Sequence, residues 1–186
     1  LLWASKKLGR PIKWVAERSE DNSSALHGRD ITTDAKLALD KDGNFLALEA
    51  DLTANMGAYL SAGGPNASTN AASTAMGGVY NIPYVFMSSK GVFTNTTPVD
   101  AYRGAGKPEA NFIIERLIDI AASQFNFDPV ELRLKNIIST LPHKTAFGLQ
   151  IDSGKFKENI ERASNYIDYK GFFKRREASR ERGFLR

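Results

Sequence analysis

The sequence predicts an α+β fold. Three observations carry that prediction: side chains alternate with period two between residues 31 and 54, the apolar period turns helical after residue 108, and no repeat of fixed length interrupts the order. Strand signals occupy the N-terminal two thirds and helices the C-terminal third. That order implies a mixed or antiparallel sheet with helices packed on it.

Residues 1 to 9 read as the end of a helix, closed by Gly9 and by Pro11, which has no amide hydrogen to continue it. Ile12-Lys13-Trp14-Val15 suits a short strand, and Ser19-Glu20-Asp21 opens a polar turn with room for one helical turn. Ile31, Thr33, Ala35, Leu37 and Leu39 then alternate with Thr32, Asp34, Lys36, Ala38 and Asp40, and Leu46, Leu48, Ala50, Leu52 and Ala54 resume the alternation. Between them, Asp40-Lys41-Asp42-Gly43-Asn44 supplies residues that tolerate positive φ, so the pair reads as a β-hairpin.

Residues 55 to 79 are rich in Gly, Ser, Thr, Asn and Ala. So long a small-residue stretch either lines something and makes tight contacts or is a mobile surface loop, and both readings stand. Val85-Phe86-Met87 and Gly91-Val92-Phe93-Thr94 mark a further strand after Ile82-Pro83. Beyond residue 108, Ala110, Ile113, Ile114, Leu117, Ala121 and Phe125 fall on one helical stripe. Asp128-Pro129-Val130-Glu131 is a helix start, with Asp as N-cap and Pro at the first helical position, for a helix ending near Asn136. Ser153 is expected to cap a third helix, bearing Phe156, Ile160, Ala163 and Ile167 on one face, and Asp168 a fourth. Trp14, Phe112 and Phe125 are expected to be packing anchors, and His27 and His143 surface or loop residues.

Composition limits the chemistry. The chain has 186 residues, 42% of them hydrophobic, and fits one domain or partial domain spanning 1–186. Its lack of cysteine excludes disulfide scaffolds, zinc ribbons, cluster ligation and thiol nucleophiles, and two histidines make no His-rich metal site. No apolar run approaches the roughly 20 residues of a membrane span. The start, Leu1-Leu2-Trp3-Ala4-Ser5-Lys6-Lys7-Leu8, is too soon charged for a signal peptide, so a cytoplasmic location is expected. A first residue other than Met and a last run of Phe184-Leu185-Arg186 suggest a piece of something longer.

Twenty-five Lys and Arg stand against 21 Asp and Glu, and the excess is concentrated in residues 168–186, a basic terminal helix. Lys170, Lys174, Arg175, Arg176, Arg180, Arg182 and Arg186 are met there only by Asp168, Glu177 and Glu181. Such a helix is a solvated face or a docking surface, and with no aromatic stacking motif beside it no nucleic acid is expected.

The segment able to carry chemistry is Pro98-Val99-Asp100-Ala101-Tyr102-Arg103-Gly104-Ala105-Gly106-Lys107-Pro108-Glu109, between the last strand and the longest helix. Its glycines allow close backbone approach, and the helix after it offers unpaired amides and a positive dipole end to an anion. An anion or phosphate site and a tight turn with solvated charges are both compatible with those residues. It is not a P-loop, since no Lys-Ser/Thr pair follows the second glycine, and it lacks the third glycine of a dinucleotide fingerprint.

The run from Thr94 through Ala110, with Glu115-Arg116-Leu117-Ile118-Asp119, Asp128-Pro129-Val130-Glu131-Leu132-Arg133 and Lys135-Asn136, resembles the molybdopterin-binding large subunit of the molybdenum hydroxylases. These comprise the xanthine dehydrogenases, aldehyde oxidases and aerobic carbon monoxide dehydrogenases. Arg10-Pro11-Ile12-Lys13-Trp14, Arg29-Asp30, Asn55-Met56-Gly57-Ala58-Tyr59 and Tyr80-Asn81-Ile82-Pro83 fit the same register, so the resemblance covers essentially the whole chain as an internal segment.

The resemblance implies a molybdenum-dependent oxidoreductase that hydroxylates a heterocycle or aldehyde with water as oxygen source. It implies a molybdopterin cofactor in dinucleotide form, with FAD and [2Fe-2S] clusters on partner subunits, and the remainder of the large subunit as a further partner. Arg103, Gly104, Ala105 and Gly106 are implied cofactor contacts, and Tyr102 and Ala105 implied members of the substrate pocket. The small Ala105 stands where xanthine dehydrogenases carry an aromatic residue, which argues against purines. Gly104 stands where carbon monoxide dehydrogenases carry a copper-binding cysteine, which argues against carbon monoxide. The base glutamate of the family belongs to a later segment, so no catalytic residue and no metal ligand is expected in this chain, and Glu109 is expected only to stabilise the helix start. The alternative expectation is a non-catalytic remnant or assembly module that docks through its basic helix.

Overall fold

The alternating residues pair as expected. In the computed structural model, which describes residues 1–185, β1 (Ile31–Leu39) runs antiparallel to β2 (Phe45–Gly57), with a bulge between Ala38 and Leu39. The two expected strand pieces after Ile82 form one strand, β3 (Tyr84–Phe93), which lies parallel to β2 on its other side. The sheet has the order β1-β2-β3 and is mixed. A small antiparallel ladder joins β4 (His143–Lys144) to β5 (Gln150–Ile151).

A parallel pair cannot be closed by a tight turn, so the chain must cross over between β2 and β3. That crossover is the small-residue stretch, and it is folded: α3 (Gly64–Ala67) and a 3-10 turn (Asn70–Ala75) bury Gly64, Ala67, Ser68, Ala72 and Met76. Of the two readings, tight contact holds. Beneath the sheet lies α4 (Lys107–Phe125), whose Ile114 and Ile118 pack with Leu48 and Leu52 of β2. The Asp128 carboxylate accepts the Val130 and Glu131 amides, and so starts α5 (Pro129–Asn136). Burying side chains of this size stabilises by about 1.5–3 kcal/mol each, so the contact of β2, α4 and α5 is the chain's main apolar support.

Two helices precede the hairpin. α1 (Leu2–Leu8) ends at a left-handed Gly9, and α2 (Arg18–Ser24) starts with a reciprocal capping box between Glu17 and Glu20. α6 (Phe156–Tyr166) and α7 (Phe172–Glu181) close the chain, joined through a 3-10 turn at Tyr169–Gly171. Among the described residues no helix is long and apolar enough to cross a membrane.

Several expectations fail locally, each for a physical reason. Residues 12–15 form no strand, because no neighbouring edge offers them a ladder, and Trp14 and Val15 stand exposed. Ser153 donates to Asp152 and caps nothing; α6 starts instead from Lys155. Asp168 accepts the Gly171 amide and caps the 3-10 turn, so the basic helix begins later, at Phe172. Phe112 and Phe125 are 69% and 55% exposed, so together with Trp14 they anchor nothing among the described residues. On α4 the core instead takes Ile118 and Ala122, which the expected stripe omitted. The α7 basic side chains are partly engaged at home, with Arg175 on Asp168 and Arg176 over Phe172 and Phe173. Arg186, counted in the basic tail, lies outside the described residues.

Candidate anion-binding loop

Between β3 and α4 the chain makes three consecutive positive-φ residues: Gly104 at 95°, Ala105 at 24° and Gly106 at 79°. L-residues avoid this region, so the run persists only where packing fixes it. The packing partner is the crossover. A Cβ at Gly106 would fall 2.5 Å from the Ala71 carbonyl carbon and on the Ala72 backbone, so only glycine lets the loop lie against that 3-10 turn.

The same crossover grips the approach to the loop. Ser61 Oγ donates to the Val99 carbonyl at 2.8 Å and accepts the Gly64 amide at 3.1 Å. Asp100 accepts the Ala101 amide and, at 3.4 Å, the Gly63 amide. These hydrogen bonds, that from Ala101 foremost, hold the Asp100 carboxyl below the usual carboxylate range. Asp100 is therefore an anionic clamp between two backbone segments.

Within the loop, Ala105 gives its amide to the Tyr102 carbonyl at 2.8 Å and Lys107 gives its amide to the Gly104 carbonyl at 3.2 Å. The amides of Arg103, Gly104 and Gly106 take part in none of the hydrogen bonds among the described residues. Free amides beside the N-terminus of a 19-residue helix are the requirement for anion capture. Arg103 and Lys107 add exposed positive charge.

The expected site residues are thus together, although they face different surroundings. Tyr102, Arg103 and Gly104 are exposed, Ala105 is half-buried and Gly106 is buried. Tyr102, Ala105 and Gly106 border a cavity of about 10 Å³, whereas Arg103 is absent from its lining. Glu109 behaves as expected at the helix start, but it does more: Oε1 is 3.3 Å from Arg29 Nη1, and Oε2 is buried without a partner. Ser61 and Arg29 were not legible as site residues, because each acts across a gap in sequence that no local pattern reports; Asp100 stands in the candidate segment, but its bond to the Gly63 amide was not legible there. Among the described residues no cluster of His, Cys, Asp and Glu is arranged to hold a metal ion.

A family profile described as the molybdopterin cofactor-binding domain matches residues 1–137. The chain is 36% identical over 170 residues to the carbon monoxide dehydrogenase large chain of Hydrogenophaga pseudoflava, covering 89% of this chain and 21% of that one. It is 34% identical over 178 residues to the 6-hydroxypseudooxynicotine dehydrogenase complex subunit gamma of Paenarthrobacter nicotinovorans, covering 90% of this chain and 22% of that subunit. Among solved structures, quinoline 2-oxidoreductase from Pseudomonas putida 86 superposes with a TM-score of 0.86 at 32% identity, over 97% of this chain and 23% of that one. The chain therefore spans about a fifth of the length of the relatives it matches.

Proposed function

Because the chain belongs to the molybdopterin cofactor-binding domain family of the molybdenum hydroxylases, we propose that the loop at residues 102–106 contributes to binding the pterin cofactor of a molybdenum-dependent oxidoreductase. The substrate class is a heterocycle or aldehyde, with water as the oxygen source. One observation carries the reading: the positive-φ run 104–106, whose Gly106 seats directly on backbone, leaves the amides of Arg103, Gly104 and Gly106 without a hydrogen-bond partner among the described residues.

The residues fit an anionic pterin. The amides of the exposed Arg103 and Gly104 are available as donors to its charged groups, and the Arg103 side chain supplies a charge-assisted contact. When bound, the cofactor supplies the two-electron redox chemistry that no side chain of this segment can perform. Tyr102 and Ala105 belong to the substrate side of the loop. Ala105 leaves room where an aromatic residue would fill it, and Gly104 carries no thiol, so purines and carbon monoxide are disfavoured substrates. Glu109 is not the proton-transfer base: its carboxylate is tied to Arg29 beneath the loop. The base comes from polypeptide beyond these residues.

With no cysteine, this chain passes its electrons to iron-sulfur clusters and FAD held elsewhere, on partner subunits. The cofactor is the dinucleotide form of molybdopterin and the location cytoplasmic. Residues 1–186 alone are expected to show no turnover, since much of the cofactor's surroundings lies outside them.

The test is molybdenum and pterin content of the full-length natural polypeptide. Near-stoichiometric molybdenum is expected, falling at least about tenfold in Arg103→Gln, whose exposed side chain makes no contact needed for folding. Persistent absence of molybdenum from the parent, or full retention in the variant, overturns the proposal.

A further inference from the structure

One residue holds both the start of the loop and the helix that follows it. Arg29 donates through Nη2 to the Arg103 carbonyl, sits 3.3 Å through Nη1 from Glu109 Oε1 at the start of α4, and lies with its guanidinium 4.9 Å from the centre of the Tyr102 ring. The loop's first two residues and the helix after it are all held by one guanidinium. Lysine has neither the planar face nor the paired donors to replace it.

Arg29 is itself held under strain. Its φ is 63°, an uncommon value for a residue with a side chain, and such outliers persist where surrounding structure over-determines them. Here the determinants are on both sides. His27 accepts the Asp100 amide at 2.8 Å and donates its own to the Pro98 carbonyl at 3.2 Å. A Cβ on Gly28 would fall 2.7 Å from the Tyr102 Cβ. Asn55 donates to the Asp30 carboxylate at 2.7 Å and to the Asp30 carbonyl at 2.9 Å. Residues 27–30 are thus fastened to the approach of the loop, and the Arg29 side chain is sent into it.

We infer that Arg29 is the positioning residue of the cofactor loop, and that it aims the free amides. The argument is covalent. The Arg103 carbonyl and the Gly104 amide belong to one planar trans peptide, so their C=O and N–H bonds point in opposite directions. Drawing the carbonyl inward onto Arg29 turns the Gly104 N–H outward, where an anion can receive it. Glu109 keeps the guanidinium from swinging away, and Tyr102 covers its face.

This inference rests on the proposed cofactor reading, and the experiment separates the two. In the full-length natural polypeptide, Arg29→Lys, Arg29→Gln and Arg103→Gln are compared for molybdenum and pterin per subunit, rate of cofactor release, thermal midpoint and the molybdenum(V) paramagnetic resonance spectrum. Arg29→Lys is expected to fold like the parent, to release cofactor at least about tenfold faster, and to shift the spectrum of what it retains. A purely structural role would lower the thermal midpoint and leave the spectrum as it was. Parental release and spectrum in Arg29→Lys, with loss in Arg103→Gln, overturn the positioning role alone. Retention in all three variants overturns the cofactor reading as well. Should Arg29→Gln fail to fold, the lysine variant decides.

Discussion

The turns at residues 40–44 and 100–106 are built from the same materials, an aspartate and glycine with positive φ, yet one is closed and the other open. In the hairpin, the Asp40 carboxylate takes the Asp42 and Asn44 amides and the Asn44 side chain, while the Asp40 amide pairs with the Asn44 carbonyl. Buried Asn136 seals the rest: it accepts the Phe45 amide and donates to the Gly43 carbonyl, both at 2.8 Å. In the second turn Asp100 and Ser61 grip the backbone before the loop, and three amides within the loop have no partner among the described residues. Turn residues alone therefore do not mark function. The discriminating feature is whether the donors they expose are answered from within.

Substitutions sharpen the contrast. The largest effect is expected for Gly106→Val, which combines positive-φ strain with a clash against the Ala71 and Ala72 backbone: about 3–5 kcal/mol, read as a lower urea midpoint of the polypeptide carrying this segment. On the closed turn, Asn136→Ala orphans the buried Phe45 amide and the Gly43 carbonyl. A loss of about 2–3 kcal/mol by the same measurement is expected, and a neutral result would mean that water answers them.

Acid gives the smallest effect. The Asp40 carboxyl is held below its usual range, chiefly by the Asn44 side chain, and Asp100 chiefly by the Ala101 amide. A lowered folded-state pKa adds stability above the unfolded value of about 3.9 and loses it as pH falls further. Amide signals of Asn44 and Ala101 should shift in that range, and Asp40→Asn should remove the first step and leave the second. Loss of both steps in that variant would contradict two independent turns.

What the sequence discloses follows from how local each cause is. β1, β2 and α5 are written in their own side chains: alternation from Ile31 to Leu39, and an Asp128 cap three residues before Glu131. The 102–106 loop was legible as a glycine-flanked arginine turn before a helix. Arg29, by contrast, sits 74 residues before Arg103, and nothing in either neighbourhood announces the other. The mistaken elements fail for the same reason. Residues 12–15 have strand-like side chains with no edge to join, and Ser153 has a capping side chain that bonds its neighbour Asp152 instead. Phe112 and Phe125 are apolar and exposed, so composition alone misplaces them.

The parallel pairing of β2 with β3 also governs timing during synthesis on the ribosome. The 102–106 loop leans on Ala72 and Arg29, so its final shape waits until β3 has docked and residues far upstream have been brought back to it. Contacts so distant along the chain form late, after nearby ones have reduced the search. A nascent chain halted before residue 106 therefore has the residues of its hairpin but not the loop that the crossover and Arg29 together hold in place.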